Sequence, residues 1–173
     1  KTKNKTLSKT IIITGASSGI GFALAEYFGK KGNKVYGLSR KVVSSDYFVS
    51  IPTDITEKEQ IDNAISEILK TETRIDVLIN NAGMGMVGAV EDSTKEDISK
   101  LFNLNLIGAV QMMTAFLPKM REQKSGKIIN VSSIGSEMGL PFRGFYSASK
   151  SALDKVTEAM RYEVYPWNIH VCS

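Results

Sequence analysis

The sequence has one cysteine, Cys172, and one histidine, His170, in 173 residues. A lone thiol excludes an intrachain disulfide framework, and a single neighbouring histidine gives no ligand set for a zinc finger or a CxxC centre, so no metal site is expected. His170 sits in an apolar run with Ile169 and Val171 and reads as structural. Long hydrophobic runs are also missing. No stretch approaches the roughly 18 apolar residues of a membrane span, and the opening KTKNKTLSKTIIIT lacks a signal-peptide core. The expectation is a cytoplasmic protein with no membrane span. Charge of one sign is barely in excess: 22 Lys+Arg against 18 Asp+Glu leave +4. The charges are scattered, and the one cluster, Lys1, Lys3, Lys5 and Lys9, reads as a solvated tail, so nucleic acid is not an expected partner. A mildly positive field does suit an anionic cofactor. With 42% hydrophobic and 23% charged residues, disordered, collagen-like and coiled-coil classes are excluded. The length fits one domain, residues 1–173.

What is present is alternation. Short β-branched runs, Ile11 to Ile13, Val35 to Leu38, Phe48 to Ile51, Val77 to Ile79, Ile128 to Val131 and Ile169 to Val171, are separated by longer amphipathic stretches. Six strands joined by helices predict an α/β domain with a doubly wound parallel sheet in the order 3-2-1-4-5-6, the Rossmann fold. Ile20, Ala23, Leu24, Tyr27 and Phe28 form the apolar stripe of a first helix that Gly32 stops. Ile61, Ala64, Ile65, Ile68 and Leu69 form a second, with Thr56 as its N-cap. A third is expected from Asn105 to Met120. A fourth, from Tyr146 to Tyr165, carries Ala148, Ala152, Leu153, Val156, Ala159 and Met160 on one stripe and halts before Pro166. Ligands are expected at the carboxyl ends of strands one and four, where the winding reverses.

Directly after the first strand, and opening into the first helix, comes Thr14-Gly15-Ala16-Ser17-Ser18-Gly19-Ile20-Gly21. Glycines there permit close backbone approach to a pyrophosphate, and the helix start offers free N–H groups. Ser17 and Ser18 add hydroxyls. The second strand ends in Ser39-Arg40, with no acidic residue to bind a ribose 2′-hydroxyl. An arginine there accommodates a 2′-phosphate, which favours NADP(H) over NAD(H). Near the other end, Tyr146 and Lys150 are four residues apart and so share a helix face. A phenol is a weak base at neutral pH, but an ammonium one turn away favours the phenolate, making this pair suited to proton exchange with a substrate hydroxyl.

Five segments together resemble the short-chain dehydrogenase/reductase family: TGASSGIG at 14 to 21, NNAG at 80 to 83, Asn105 in NLIG, NVSS at 130 to 133 and YSASK at 146 to 150. The resemblance covers nearly the whole chain in the family's order. It implies hydride transfer between NADP(H) and a carbonyl or secondary alcohol, with Tyr146 as general acid/base. Lys150 would also grip the nicotinamide ribose. The family's serine-to-tyrosine spacing of 13 selects Ser133 to hold the carbonyl oxygen, leaving Ser132 to the strand-end backbone. Asn105 resembles the asparagine that anchors a water on the lysine's proton path. Asp54 and Ile55 match the adenine contact, and Asn81, Ala82 and Gly83 lie beside the cofactor. The apolar segments Met84 to Val87 and Met138 to Phe142 suggest a lipophilic small-molecule substrate, with some similarity to the hydroxysteroid and retinol dehydrogenase branch. The family's pairing helices correspond to 105–120 and 146–165, implying a homodimer or homotetramer. Two alternatives stand beside this: a reductase of carrier-linked 3-oxoacyl chains, and a catalytically weak dinucleotide-binding regulatory protein. Family members continue beyond the position of Ser173 into a segment that closes the site, so the chain reads as a fragment.

Overall fold

The computed structural model describes residues 8–173; Lys1, Lys3 and Lys5 of the basic cluster lie outside them, and Lys9 is exposed. The chain runs β1 (Thr10–Thr14), α1 (Gly19–Lys30), β2 (Lys34–Ser39), β3 (Val49–Pro52), α2 (Lys58–Thr71), β4 (Val77–Asn80), α3 (Lys95–Phe102), α4 (Ala109–Gln123), β5 (Gly126–Asn130), α5 (Gly144–Glu163) and β6 (Ile169–Cys172). All strand pairs are parallel, and the order is β3-β2-β1-β4-β5-β6, as expected for the doubly wound sheet.

β1 explains why the sheet is central. All five residues of TIIIT are buried, as in a strand covered on both faces. Ile12 points into one apolar cluster with Leu38, Leu78, Met112, Phe116 and Ile128; Ile11 and Ile13 point into the other with Ala25, Val35, Phe48 and Ile79. The period of two divides one strand between two layers. Each fully buried Ile or Leu there contributes on the order of 1.5–3 kcal/mol.

Three of the four expected helices formed where periodicity placed them, and two of these present partly different faces. On α1, Ile20 and Tyr27 are exposed while Gly21 and Ala25 are buried, with Phe22, Leu24 and Phe28 packed beside them. The small residues bring the helix close to the sheet, which turns Ile20, Ala23 and Tyr27 of the expected stripe outward and leaves only its Leu24 and Phe28 packed on the core. On α5, Leu153 and Met160 of the expected stripe are buried and Val156 packs beside them, but Ala148 and Ala159 are exposed, and Ser147, Ser149, Lys150 and Thr157 complete the buried face, because that face meets the polar strand ends. Thr56 is not the N-cap of α2. Glu57 holds that position, while the Thr56 amide and hydroxyl both donate to Asp54 Oδ1, at 3.0 and 2.8 Å.

The third helix begins ten residues earlier than expected. Lys95–Gln123 is one 29-residue helical run, started by Thr94, whose hydroxyl accepts from the Asp97 amide, and opened by a π-helical turn at Asn103–Gly108. By length and composition alone it could cross a membrane. Here Met112, Met113, Phe116, Leu117 and Met120 are buried against the sheet. On β6, Ile169 and Val171 face inward, whereas His170 and Cys172 are exposed, so His170 is not a core residue.

Candidate active site

The site begins at the switch point between β1 and β4. Thr14, fully buried, accepts at its hydroxyl from the backbone amides of Asn81 and Ala82, both at 3.0 Å. Asn81 returns the contact, its Nδ2 donating to the Thr14 carbonyl at 3.0 Å. The loop after β4 is thereby fastened to the end of β1. Gly15 follows with φ +70°, a conformation costly for any residue with a Cβ, and a Cβ there would lie 2.9 Å from Ala82 Cα. Gly21 is buried, and a Cβ on it would collide with the Gly15 carbonyl and Asn81 Nδ2. The first turn of α1 is thus held against the loop. Its N-cap, Ser18, makes no side-chain cap bond, so the first-turn N–H groups are available to an anion.

A cleft of about 320 Å³ opens there, lined by Gly15, Ser17, Ser18, Ser39, Arg40, Asp54, Ile55, Asn81, Ala82 and Gly83. Each of these was singled out from sequence. Leu38, Lys41, Thr53 and Leu104 also line it and were not. Lys41 adjoins Arg40, and a search for paired cations would have found it. The Ser39 hydroxyl donates to the Lys41 carbonyl at 2.8 Å, so its proton shapes the loop, and the positive charge comes from Arg40 and Lys41. Neither forms a salt bridge among the described residues. The residues fit a nicotinamide dinucleotide: a cradle that a Cβ would fill, free helix-terminal donors and two cations without a salt bridge among the described residues. Gly19, Ile20 and Gly21 do not line the cleft; Gly19 and Ile20 are exposed at the helix start. No group of three or more His, Cys, Asp or Glu side chains is placed to hold a metal among the described residues.

Beyond the cleft, the other candidates converge through Gly83. A Cβ on Gly83 would lie 3.3 Å from Asn105 Oδ1 and 3.5 Å from Lys150 Nζ. Asn105, buried in the π turn, accepts from the Met84 amide at 2.8 Å and donates to the Met84 carbonyl at 2.9 Å and to Ser149 Oγ at 3.1 Å. Lys150 Nζ donates to the Val131 carbonyl at 2.7 Å. Burial holds the Lys150 ammonium below the usual lysine range, partly offset by the Asp154 carboxylate. Tyr146 is half-buried one turn before it. Ser133, just past β5, accepts at Oγ from the Gly135 amide at 3.1 Å. Ser132 does not bond the strand-end backbone; its hydroxyl donates to Asp154 Oδ2 at 2.8 Å, because α5 brings a stronger acceptor to it.

Below these groups lies a buried polar spine. Asn80 Nδ2 donates to Asn130 Oδ1 at 2.8 Å, and Asn130 Nδ2 donates to Thr157 Oγ1 at 2.7 Å. It couples the ends of β4 and β5 to α5, the three elements that carry the site, through bonds made in a buried setting where each counts for more than in water. Above the site, Val87, Val90, Ile134, Met138 and Phe142 are exposed. The Gly88 amide donates to the Phe142 carbonyl at 2.8 Å, joining the two apolar loops into one wall.

The family model for short chain dehydrogenase matches residues 9–173. The 3-ketodihydrosphingosine reductase of Bacteroides thetaiotaomicron is 47% identical over 163 residues, which are 94% of this chain and 61% of that protein. The chain thus spans under two thirds of that relative's length. The structure of ElxO with NADP bound has a TM-score of 0.90 at 29% identity, covering 95% of this chain and 71% of that one. NAD+-bound xylitol dehydrogenase has a TM-score of 0.89 at 27% identity, covering 96% and 69%.

Proposed function

This chain belongs to the short chain dehydrogenase family, and we propose that it serves as an NADP(H)-dependent reductase of a lipophilic ketone, with Tyr146 as the general acid. One observation carries the reading: Lys150, buried and bonded to the Val131 carbonyl, lies with Asn105 against Gly83, which lines the dinucleotide cleft. A desolvated ammonium there favours negative charge on the neighbouring phenol and on a substrate oxygen.

The residues divide the work. Gly15, Ser17, Ser18 and the first turn of α1 hold the pyrophosphate, and Arg40 with Lys41 holds the 2′-phosphate. The bound dinucleotide supplies the hydride that reaches the carbonyl carbon. Ser133 orients the carbonyl oxygen, and Tyr146 donates its hydroxyl proton to that oxygen as the carbon is reduced. Lys150 stabilises the phenolate left behind, and Asn105 fixes the Met84 loop that borders the reaction. The neighbouring structures include both NADP and NAD+ complexes; the choice of NADP(H) rests on Arg40 and Lys41.

The substrate class rests on the exposed wall of Val87, Val90, Ile134, Met138 and Phe142 and on the 47% relative's name. We read the substrate as a long-chain 3-oxo lipid of the ketodihydrosphingosine type. The test is NADPH absorbance with 3-ketodihydrosphingosine, a carrier-linked 3-oxoacyl chain and short ketones in parallel. Turnover of the first, with Tyr146→Phe lowering kcat by about 10²–10⁴ at unchanged NADPH affinity, is expected. Preference for the carrier-linked substrate, or a Tyr146→Phe variant within tenfold of the parent, would overturn it.

A further inference from the structure

Two successive residues at the end of β5 are tied to two residues one turn apart on α5. The Val131 carbonyl accepts from Lys150 Nζ at 2.7 Å, and the Ser132 hydroxyl donates to Asp154 Oδ2 at 2.8 Å. Tyr146, Lys150 and Asp154 recur every four residues, so one stripe of the helix carries all three. Asp154 Oδ1 is shielded from solvent and has no hydrogen-bond partner among the described residues. A carboxylate with a single neutral donor keeps its charge available to its surroundings, and in a partly desolvated site that field is strong. It falls on Lys150, whose ammonium it favours against the opposing effect of burial.

Other groups compensate little. On α5, Lys155 is exposed and paired first with Glu158 at 2.9 Å; Glu137, on the turn that packs against α5, and Asp154 act on it more weakly, so a minor part of the Asp154 field falls on Lys155 in solvent. From β5, the loop after β4 and the π turn, Lys150 meets the neutral Val131 carbonyl, Gly83 and Asn105.

We propose that Asp154 and Ser132 form a positioning pair that locks α5 in register with the end of β5 and keeps the Lys150 side chain charged beside Tyr146. Neither residue touches the reacting atoms; both act through Lys150 and through the placement of Ser133, the residue after Ser132. The proposal rests on the roles given above to Tyr146 and Lys150.

The experiment reads Lys150 directly. In protein labelled with ¹³C-lysine, the Lys150 Cε resonance, assigned by its loss in Lys150→Arg, is titrated by NMR alongside the pH profile of kcat. Asp154→Asn keeps the shape and a bond to Ser132 but removes the charge. It is expected to lower the Lys150 midpoint by about one pH unit and move the alkaline limb of kcat down with it. Asp154→Glu restores both. Ser132→Ala leaves the midpoint nearly in place but lowers kcat about tenfold at every pH as the register loosens. An unmoved midpoint in Asp154→Asn, or a uniform loss of kcat with no shift of the limb, overturns the pair. If Asp154→Asn does not fold, Asp154→Ser carries the same reading. The NMR titration needs no turnover, so a shifted midpoint in a protein inactive toward every ketone would sink the function while leaving the pair standing.

Discussion

Replacing Thr14 with valine would test how the site is assembled without touching a reacting group. The side chains are nearly isosteric, so the change exchanges one hydroxyl for one methyl at a position with no solvent exposure. That hydroxyl is the acceptor for two backbone amides, Asn81 and Ala82, each at 3.0 Å. An orphaned buried donor costs about 1–3 kcal/mol. Two of them, less the relief of no longer desolvating a hydroxyl, come to about 3 kcal/mol. With an m value of about 2 kcal/mol/M for a chain of this size, the urea midpoint should fall by about 1.5 M. Thr14→Ser supplies the control, since it keeps the acceptor and loses one buried methyl, for about 1 kcal/mol. Urea unfolding followed by circular dichroism should therefore rank the parent above serine and serine above valine. Hydrogen exchange at Asn81 and Ala82 should accelerate in valine alone. A valine variant at least as stable as the serine one would refute the reasoning, because it would mean that packing and not the shared acceptor holds the loop.

Arg40→Ala should weaken NADPH binding about 10- to 100-fold with NADH affinity unchanged at fixed salt, measured by fluorescence titration; equal losses for both would remove Arg40 from the 2′-phosphate. Lys150→Met should remove a rise in stability with pH that the buried ammonium gives the parent. The sign follows from the lowered folded pKa. Between that value and the ordinary lysine range the unfolded chain binds the proton that the folded one has lost, so the parent gains stability as pH rises toward 10. Urea midpoints of the two proteins that keep a constant difference from pH 7 to pH 10 would contradict it. Gly21→Ala should cost about 2 kcal/mol by thermal or urea unfolding and weaken NADPH binding at least tenfold, because the added carbon meets the Gly15 backbone, which cannot yield as a side chain would; near-parent values for both would show that α1 moves freely.

The strands and their order were legible because the apolar runs are short and bounded by loop residues and the inner ones, β1 and β2, are buried on both faces, which leaves little choice of period. The dinucleotide loop was legible for a related reason: its glycines stand where a strand must hand over to a helix. Helix faces were harder. On α1, Gly21 and Ala25 make the closest approach to the sheet, and of a stripe chosen for large apolar residues only Leu24 and Phe28 reach that face. On α5, polar residues are buried because polar strand ends await them, and hydropathy carries no sign of that. The structural roles of Thr14, which opens the glycine loop, and of Asp154 were not foreseen because they lie in partners 67 and 22 positions distant, distances across which local patterning is silent. Lys95 to Phe102 was missed because α3 is amphipathic over only two turns and buries a single residue, Leu101.

The π-helical turn at Asn103–Gly108 divides the 29-residue helical run into two stretches whose rotational phase is offset by one inserted residue. Removing one residue there would allow a regular helix, but the remaining turn would rotate by about 100° and carry the Asn105 side chain away from Met84 and Ser149. The smoother helix would be the better helix and the poorer anchor for the Met84 loop. Length at this turn is therefore held by the site and not by the fold, so insertions and deletions should be tolerated on the surface loops far better than within these six residues.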